Sequence, residues 1–447
     1  MSGERGEKSG RWVVAIVSLI WAVSLVGFSF GPSGSQSDEF TLNLFPAWEN
    51  RRVPSDGSFP KYDSLNVERA GYWSYGPARS VLAEGGYVYV GYGGGIWIFD
   101  VSEPDSPVVV GMVATPDLVE DMVYHDGVLY VANSYAGVTA IDVSDPEAPE
   151  VVGNRDMHMR IGERSLALWY PYLFVVGESR KILVLDVSDP GAMDSVATYA
   201  YEPGVLPGPI DIGAGGYLFV YVSGMPGGVH VHSLEVWDIR YPLDRILKGR
   251  VILEWMGCSD MEVSGGYAYI SRGRGLWVVD VHDPDSIYVV SVDSTWVNLK
   301  GLDVEGGYTY AKSGGYLVVY DVCNPHSPCV VGSVEVGAGD KLSAMEGYVY
   351  VVDRFKVVDC RDPSAPELVY EKLDGPGAGR DVDAASGYCY YACSEGGVYI
   401  LRRRPEGMQM EVVGHIGDLL GVREADRVRV DSVRNRVYVA GNDSLRV

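Results

Sequence analysis

Short apolar runs alternate with polar and Gly-rich turns along most of this chain, from about residue 77 to residue 415. In one such stretch, Asp121 to Tyr124 turns through Asp126 and Gly127 into a run that begins at Val128. Alternation with a period of two places neighbouring side chains on opposite faces of a β-strand. Helical periodicity is absent after residue 30, so the pattern predicts an all-β fold.

One unit of this pattern recurs eight times, and each copy is marked by an anchor position in a Gly-Tyr-x-Tyr-like sequence. The steps between successive anchors are 41, 44, 45, 50, 41, 40 and 40 residues. The anchors are Tyr87, Val128, Tyr172, Tyr217, Tyr267, Tyr308, Tyr348 and Tyr388. An aromatic residue stands two places after each anchor, at Tyr89, Tyr130, Phe174, Phe219, Tyr269, Tyr310, Tyr350 and Tyr390. This spacing places both side chains on one face of a strand.

Each unit has the pattern of four short strands. In the second unit these are an inner strand at Asp121 to Tyr124, an aromatic strand from Val128, a third strand at Val138 to Ile141 and an outer strand at Glu150 to Gly153. Four antiparallel strands in every 40 to 50 residues are typical of a β-propeller, in which each twisted sheet packs against its neighbours. We predict a propeller of four-stranded antiparallel blades, with eight blades, or seven if a terminal unit stands outside the ring.

A polar turn follows the third strand of each unit. The strand ends at Asp100, Asp142, Asp186, Asp238, Asp280, Asp321 and Asp359, with Leu401 in the eighth unit. A Pro stands four residues later in all eight units, from Pro104 to Pro405. Asp and Ser side chains cap backbone amides, and Pro cannot continue a strand ladder. The third strand is therefore expected to end in a tight turn.

The third strands and their turns resemble the LVIVD repeat of bacterial and archaeal surface proteins. The stretches that carry the resemblance are Leu183 to Pro190, Ala140 to Pro146 and Arg380 to Val382. The resemblance covers residues 77 to 415 and implies an extracellular propeller. It implies no activity, because the family is known mostly as propellers without an assigned one and a fold alone does not define a function.

The amino end has the pattern of an export segment. Arg5, Lys8 and Arg11 precede an apolar run from Trp12 to Phe30, and the small polar stretch from Gly31 to Ser35 follows. We predict an export signal or signal anchor over residues 1–37, which puts the rest of the chain outside the cytoplasm. Residues 38–76 are expected to form an irregular linker or stalk.

Two units depart from the repeat. The fourth inserts Gly224 to His232, and the eighth replaces its Asp-rich turn with Arg402 to Pro405. A partial further unit over residues 416–447 resembles the YVTN repeat in the stretch from Val428 to Ala440. It is expected either to help close the ring or to continue into a longer protein.

Composition narrows the function classes. Sixty acidic against 36 basic residues give a net charge of −24, which disfavours nucleic acid and anionic lipid as partners. Membrane contact is expected only through the amino-terminal segment. Tyr outnumbers Phe by 31 to 9, which suits half-buried strands.

Cations recur at one position of the repeat, eight residues before the anchor, where the inner strand begins. This position holds Arg79, Glu120, Arg164, Pro209, Ser259, Lys300, Asp340 and Arg380, and Lys341 adjoins the seventh. Loops between second and third strands add cations on the same predicted face, at Arg180, Lys181, Arg272, Arg274, Lys312, Arg354 and Lys356. Such a basic rim would attract an anionic glycan, a phosphate or an acidic protein. The alternative is structural, because Asp121, Asp260 and Asp381 follow one place later and could pair with cations of the next blade.

Metal sites have weaker support in the sequence. Glu262, Asp303 and Asp383 stand five residues before their anchors and could supply oxygens to Ca²⁺, although no calcium-loop motif accompanies them. His230 and His232 share a strand face but lack an evident third ligand. No cofactor is therefore expected, with Ca²⁺ as the alternative.

Six Cys residues in an exported protein raise the question of disulfides. Cys323 and Cys329 flank a Pro-containing turn between neighbouring strands, so they are candidates for a bridge. Cys389 and Cys393 lie too far apart on one strand to join each other, at about 3.3 Å per residue. These two are expected in the core, as are Cys258 and Cys360.

Catalytic motifs are absent from the sequence: it has no Gly-x-Ser-x-Gly elbow, no His-Glu-x-x-His and no phosphate loop. We therefore expect a non-catalytic, exported propeller that acts as a surface scaffold or as a recognition and adhesion module for an unknown protein or acidic glycan. The alternative is a hydrolase or lyase that uses channel acids and cations on an extracellular polysaccharide.

Overall fold

The structure is a computed structural model. It describes residues 76–447 apart from 179, 226–229, 243–244, 254–256, 338, 353–354, 372–378, 386–387, 394–396, 404–409, 417–424, 426, 432–435, 442–443 and 447. The predicted export segment and nearly all of the predicted linker lie outside the described residues. None of the described residues forms a helix with the length and hydropathy of a membrane span.

Eight four-stranded antiparallel sheets follow one another along the chain, as the eight repeats predict. In each sheet the strands lie side by side in chain order. A three-stranded sheet follows the eight. We call the first seven sheets blades 1 to 7, the eighth one sheet 8 and the three-stranded one sheet 9.

Blade 1 contains β1 Ala78–Glu84, β2 Tyr87–Tyr92, β3 Gly95–Asp100 and β4 Val108–Ala114, and blade 2 contains β5 Val119–His125, β6 Val128–Asn133, β7 Gly137–Asp142 and β8 Glu150–Arg155. Blade 3 contains β9 Ile161–Trp169, β10 Tyr172–Gly177, β11 Lys181–Asp186 and β12 Asp194–Ala200. Blade 4 contains β13 Val205–Gly213, β14 Tyr217–Gly224, β15 Val231–Asp238 and β16 Ile246–Ile252. Within blade 2, a short 3-10 helix over Ser134–Ala136 joins β6 to β7.

Blade 5 contains β17 Cys258–Ser264, β18 Tyr267–Arg272, β19 Gly275–Asp280 and β20 Tyr288–Asp293. Blade 6 contains β21 Leu299–Glu305, β22 Tyr308–Ser313, β23 Tyr316–Asp321 and β24 Cys329–Glu335. Blade 7 contains β25 Lys341–Met345, β26 Tyr348–Val352, β27 Lys356–Asp359 and β28 Glu367–Glu371. Sheet 8 contains β29 Gly379–Ala385, β30 Tyr388–Cys393, β31 Gly397–Arg403 and β32 Met410–Ile416. Sheet 9 has three strands, β33 Arg427–Asp431, β34 Arg436–Gly441 and β35 Ser444–Arg446.

The inner strands of blades 1 to 7 form a closed circuit. Each packs beside the inner strand of the next blade, and β25 of blade 7 packs beside β1 of blade 1. The amide of Ala83 donates to the hydroxyl of Ser343 across this junction, at 3.1 Å. The rings of Phe99 and Phe355 also meet there, with their centroids 4.3 Å apart. The ring therefore has seven blades, which is the arrangement expected if a terminal unit stands outside it.

Sheet 8 pairs with sheet 9 instead of entering the ring. Strand β29 packs beside β33, and the amide of Val430 donates to Asp383 Oδ2 at 2.8 Å. One face of sheet 8, with Cys389, Tyr391 and Tyr399, belongs to the same apolar cluster as the junction of blades 1 and 7. The described strands of the predicted further repeat, β33 to β35, thus form a sheet that packs beside sheet 8.

Each pair of neighbouring blades buries its own apolar layer. The aromatic residues two places after the anchors form part of these layers in all seven blades, as the period of two predicts; they are Tyr89, Tyr130, Phe174, Phe219, Tyr269, Tyr310 and Tyr350. The core is therefore a set of layers between blades, arranged around a central channel lined by the inner strands.

Candidate functional site: the central channel and its mouth

A bulge at the start of several inner strands directs the rim residues. In blades 1, 2 and 5 the pairing with the second strand skips Arg79, Glu120 and Ser259 respectively. A bulge leaves one residue unpaired and re-aims its side chain. The repeat position that carries the cations is therefore a bulge in these blades. The face of the ring at which the inner strands begin is called the upper face below.

Blade 3 has the largest bulge. Strand β9 places four residues, from Gly162 to Ser165, opposite the single residue Val176 of β10. Arg164 adopts φ of 52° there, in the left-handed region that non-Gly residues rarely occupy. The bulge turns Glu163 and Arg164 toward the channel.

Arg164 reaches across the channel to the far wall. Its Nη2 lies 2.5 Å from Asp260 Oδ2 of blade 5 and donates to the carbonyl of Leu302 in blade 6, at 2.9 Å. Asp260 is fully buried, and its two oxygens also accept the amides of Met261 at 2.8 Å and Leu302 at 2.9 Å. One arginine thus ties blade 3 to blades 5 and 6.

Burial would lower the pKa of the Arg164 guanidinium, but the carboxylates around it outweigh this effect and raise its pKa. These carboxylates belong to Asp260, Asp121, Asp303 and Glu262. Arg164 is therefore a permanent positive charge in an acidic channel. Asp121 accepts the amides of Ser165 and Leu166 with Oδ2, at 2.8 and 3.0 Å, and so holds the base of the bulge. Burial raises the pKa of Asp121, against the field of Arg164.

Further ion pairs close the upper mouth of the channel. Lys341 of blade 7 pairs with Glu163 of blade 3 at 3.1 Å, across the ring. Arg79 of blade 1 pairs with Glu120 of blade 2 at 3.1 Å, and Arg160 pairs with the other oxygen of Glu120 at 3.2 Å. A further pair joins neighbouring blades 6 and 7, between Lys300 and Asp340 at 3.0 Å.

Four of the predicted rim cations, Arg79, Arg164, Lys300 and Lys341, are therefore held in ion pairs within the protein. This agrees better with the alternative prediction, in which the rim cations form ion pairs with acidic residues of the protein. The partners, however, are Glu120, Asp260, Asp340 and Glu163, so they include residues across the channel as well as residues in the next blade.

The cations predicted in the loops between second and third strands divide into buried and exposed groups. Arg272 is 1% exposed and stacks on Trp277, with its guanidinium carbon 4.8 Å from the ring centroid. Its burial lowers its pKa. Lys312 is fully buried and donates to the carbonyl of Gly337 at 2.8 Å. The assignment of Arg272 to a ligand-binding rim is therefore wrong, because the hairpin carries its side chain inward between strands.

Arg180 and Arg274 are exposed on the upper face. Arg380 is also exposed, but it lies in β29 of sheet 8, so its predicted place on the rim of the ring is wrong. In the part of the chain that the structure describes, Arg180 and Arg274 take part in no ion pair. Arg354 lies outside the described residues. The cations open to a ligand are thus fewer and more scattered than the sequence suggested.

Three channel carboxyls on successive inner strands bind the next blade. Asp211 Oδ2 accepts the amide of Val263 at 2.6 Å, and Glu262 Oε2 accepts that of Val304 at 2.8 Å. In the same way, Asp303 Oδ2 accepts the amide of Ala344 at 2.8 Å. These side chains connect blades 4, 5, 6 and 7, and the equivalent position in blade 7 is Ser343, which closes the ring to blade 1.

Burial raises the pKa of each of these three carboxyls. The pKa of Asp211 rises to about 6, and the pKa values of Asp303 and Glu262 are raised as well. After burial, the charges of Asp303 and Asp211 also raise the pKa of Glu262. These acids therefore hold protons more tightly than acids in water. They are buried, and each already accepts a backbone amide of the next blade.

The predicted disulfide between Cys323 and Cys329 is absent, and both thiols are free. The register partner of Cys329 is Asp321, two residues before Cys323. The sulfur of Cys323 turns back to the carbonyl of Gly307, at 3.7 Å. Cys360, Cys389 and Cys393 are buried, as predicted, and Cys258 is partly so.

His232, one of the residues considered as a metal ligand, makes a different contact. The phenol of Tyr221 lies 2.7 Å from Nδ1 of His232, whose pKa is lowered by burial and by Arg272. Among the described residues, no three His, Cys, Asp or Glu side chains are arranged so that they could hold a metal ion.

Two acids of the channel, Asp211 and Glu163, do not follow the repeat spacing and were not predicted. Asp211 stands six residues before its anchor instead of five, because the turn from Gly213 to Tyr217 is one residue longer than in other blades. Glu163 lies in the bulge of β9, and only the unusual length of that strand signals it.

The opposite, lower face carries the Asp turns. The Ser102, Ser144 and Ser188 amides donate to Asp100, Asp142 and Asp186 respectively, at 2.8 to 2.9 Å. Hydrogen bonds from the amides and hydroxyls of these Ser residues lower the pKa values of the three carboxyls, and the hydroxyl has the larger effect at Asp142 and Asp186. The predicted capping role of these acids is confirmed.

Comparison with known proteins agrees with this architecture. The family described as LVIVD repeat matches residues 75–115, 121–156, 164–200, 258–292, 299–336 and 337–372. These segments correspond to every ring blade except blade 4, which carries the insertion. The chain belongs to the LVIVD-repeat family.

Solved structures with a similar fold have very different sequences. One is a functionally unknown protein from Desulfotomaculum acetoxidans DSM 771, with 12% identity and a TM-score of 0.50, covering 62% of this chain and 92% of that one. Another is the computationally designed Ika8 protein, with 12% identity and a TM-score of 0.48, covering 74% of this chain and 96% of that one. No curated protein matches the sequence. The first likeness concerns the fold alone.

Proposed function

We propose that this protein is an exported, non-catalytic propeller that serves as a cell-surface scaffold or recognition module. The observation that carries the proposal is the use of the channel's polar groups. Arg164 and Lys341 span the mouth in ion pairs, and Asp211, Glu262 and Asp303 bind the backbone of the next blade. These groups stabilise the ring, so recognition falls to the loops outside the channel.

The upper face of blade 4 supports a role in binding. Its strands β13, β14 and β15 have 9, 8 and 8 residues, and they lengthen the blade toward this face. Leu206, Met225 and Ile252 there are 49%, 51% and 64% exposed. Apolar side chains at the ends of long hairpins suit contact with a protein, whereas Arg180 and Arg274 suit an anionic glycan.

A ligand screen with matched variants tests the recognition of glycans. Thermal stability of the protein is measured with acidic and neutral oligosaccharides, with phosphate and sulfate, and with Ca²⁺ with and without a chelator. A ligand at one hundred times its dissociation constant adds about 2.7 kcal/mol to the free energy of unfolding. We expect a shift with acidic oligosaccharides that Arg180→Ala and Arg274→Ala remove and that the ion-paired control Lys300→Ala retains. If simple salts raise the unfolding temperature as much as acidic oligosaccharides do, glycan recognition is contradicted. A protein would then be the remaining candidate partner.

The predicted location has its own test. Protease added to intact cells should degrade the propeller without lysis if the chain is exported, and a cytoplasmic control protein should survive. Protection of the propeller until the cells are lysed would argue against a surface role.

The alternative function is a polysaccharide hydrolase or lyase. It is supported by the raised pKa values of Asp211, Glu262 and Asp303 beside Arg164, since such groups suit acid–base catalysis. Incubation with extracellular polysaccharides, followed by reducing-end detection, distinguishes the two functions. Turnover that Glu262→Gln abolishes in a folded protein would replace the scaffold proposal by the enzyme.

A further inference from the structure

An aromatic cage lies between the outer strand of blade 3 and the third strand of blade 4. Its rings are those of Tyr199 and Tyr201, at the end of β12, and of Trp237 in β15. They surround the guanidinium of Arg245, which stands just before β16. The guanidinium carbon lies 4.8 Å from the ring centroid of Tyr199, 5.6 Å from that of Tyr201 and 4.3 Å from that of Trp237. Each distance is within the range of a cation–π contact, so the three rings form a site for one positive charge.

The rings are held by contacts that do not involve the guanidinium. The phenol of Tyr199 donates to the carbonyl of Pro242 at 2.5 Å. Glu235 is 1% exposed, and its Oε2 accepts the indole N–H of Trp237 at 3.1 Å. The phenol of Tyr201 donates to the same oxygen at 3.4 Å. The rings therefore have their own support, as the walls of a preformed ligand site require.

Glu235 is specific to blade 4. It stands three residues before the Asp that ends the third strand, and the equivalent residues of the other ring blades are Trp97, Thr139, Leu183, Trp277, Val318 and Lys356. Its Oε1 forms an ion pair with Arg250. The LVIVD family matches residues 164–200 and 258–292, so every cage residue except Tyr199 lies between the matched segments. The cage is thus a feature of this chain and not of the repeat.

In the described structure the cage offers Arg245 few hydrogen-bond acceptors. Its Nη2 donates to the carbonyl of Ala200 at 3.0 Å, whereas its buried Nη1 has no acceptor among the described residues. A guanidinium carries five N–H donors, and a buried donor without an acceptor is unfavourable. Both oxygens of Glu235 already accept other donors. The cage therefore suits a cation without N–H donors better than it suits an arginine.

We propose that this cage is a binding site for a trimethylammonium group, and that the Arg245 side chain occupies it as a displaceable plug. A trimethylammonium group spreads its charge over methyl groups, so it contacts ring faces and needs no acceptor. Tyr201, Trp237 and Arg245 are partly exposed, so the cage opens to solvent. Free solutes such as choline and phosphocholine head groups share this chemistry.

The site is separate from the channel and from the upper face of blade 4. Third and fourth strands form it, whereas inner strands line the channel. Its occupation does not require export or a partner at the cell surface. The cage and the proposed surface role can therefore fail independently.

Displacement of the plug sets the affinity. Ligand binds only those molecules from which Arg245 has withdrawn, so the apparent dissociation constant is the intrinsic one divided by the open fraction. Arg245→Ala leaves the cage open and should bind choline about tenfold more tightly than the wild type, or better. Trp237→Leu removes the nearest ring face and should weaken binding by about tenfold or more.

The test measures choline binding to the full chain at constant ionic strength, by titration calorimetry and by saturation-transfer NMR of the choline methyl protons. The ligand control is the tert-butyl analogue of choline, which has the same shape and no charge. We expect weak binding of choline by the wild type and much weaker binding of the analogue. Equal binding of the two ligands would show that the rings are only an apolar surface, and the proposal would be wrong.

Arg240→Ala is the matched control for the plug. Arg240 lies in the same connection, with its guanidinium carbon 5.7 Å from the ring centroid of Tyr217, but it pairs with Asp238 outside the cage. This variant should bind choline as the wild type does. Choline binding by Arg245→Ala but not by the wild type would mean that the arginine is a permanent part of the wall. Either that result or no binding by both proteins would overturn the proposal.

Tyr201→Leu keeps the wall test available if Trp237→Leu does not fold. Tyr201 is partly exposed at the end of its strand, and its loss should also weaken choline binding. Unchanged affinity in this variant would contradict the cage. Phosphocholine then distinguishes the two sources of the ligand: tighter binding than choline assigns the site to head groups, and tighter binding of choline assigns it to free solutes. Both results retain the trimethylammonium group as the ligand.

Discussion

At the scale of single residues, Arg164 is the most consequential side chain in the channel. It joins a strained position in the β9 bulge to a fully buried carboxylate and a carbonyl on the opposite wall. A buried carboxylate that loses its cation keeps its desolvation cost without compensation. The arginine therefore matters mainly because Asp260 and its neighbours are already present.

Replacing Arg164 by Met should destabilise the ring by about 3 kcal/mol, because Asp260 is then buried without its counter-ion. Chemical unfolding of Arg164→Met, Asp260→Asn and the double variant forms a thermodynamic cycle. The double variant should be clearly more stable than the sum of the two single losses predicts. Strict additivity would mean that the two side chains do not interact.

At the scale of elements, outer strands and Asp–Pro turns lock neighbouring blades together. A Cβ atom built on Gly111, Gly153, Gly249 or Gly332 would lie 2.0 to 2.3 Å from the carbonyl oxygen of a Pro in the next blade's turn. In blade 5 the corresponding residue is Ser291, whose hydroxyl donates to the Pro325 carbonyl at 2.6 Å. The recurring Pro thus has a second role, since its carbonyl packs against a small residue of the preceding blade.

Gly153→Ala should cost about 1 to 3 kcal/mol, because the new methyl group would overlap the Pro190 carbonyl and force blades 2 and 3 apart. Gly162→Ala is the control, because a Cβ atom there meets nothing within 4 Å. Its free energy of unfolding should stay within about 0.5 kcal/mol of the wild type. Equal losses in the two variants would show that general strand propensity, and not the Pro contact, is responsible.

At the scale of the whole molecule, the ring closes at the junction of blades 1 and 7, and no strand of one blade is contributed by the other end of the chain. Blade 1 and blade 7 each take all four strands from one continuous segment, and they meet through Ser343, Phe99 and Phe355. Sheet 8 adds Tyr391 and Tyr399 to the apolar cluster at this junction. Sheet 8 therefore stabilises closure without completing the circuit.

A chain that ends after residue 378 should still fold into a closed ring. We expect it to keep its β-sheet circular dichroism and a single cooperative unfolding transition, at a lower temperature because the cluster loses the side chains of sheet 8. Ending the chain after residue 336 removes blade 7 and should abolish the cooperative transition. If both truncated chains unfold alike, sheet 8 is needed to close the ring.

The repeat, the four strands of each blade and the layers of aromatic residues could be predicted from the sequence, because a period of two and the Asp–Pro turns act over a few residues. The sequence also identified which positions lie at the mouth of the channel. Closure of the ring by seven blades was visible only in the folded chain. The same is true of the bonds from Arg164 to residues in blades 5 and 6, about one hundred positions or more away in the sequence. Ring closure depends on the angle between packed blades, and cross-channel pairing depends on a bulge that re-aims two side chains; neither is encoded in the local alternation of apolar and polar residues.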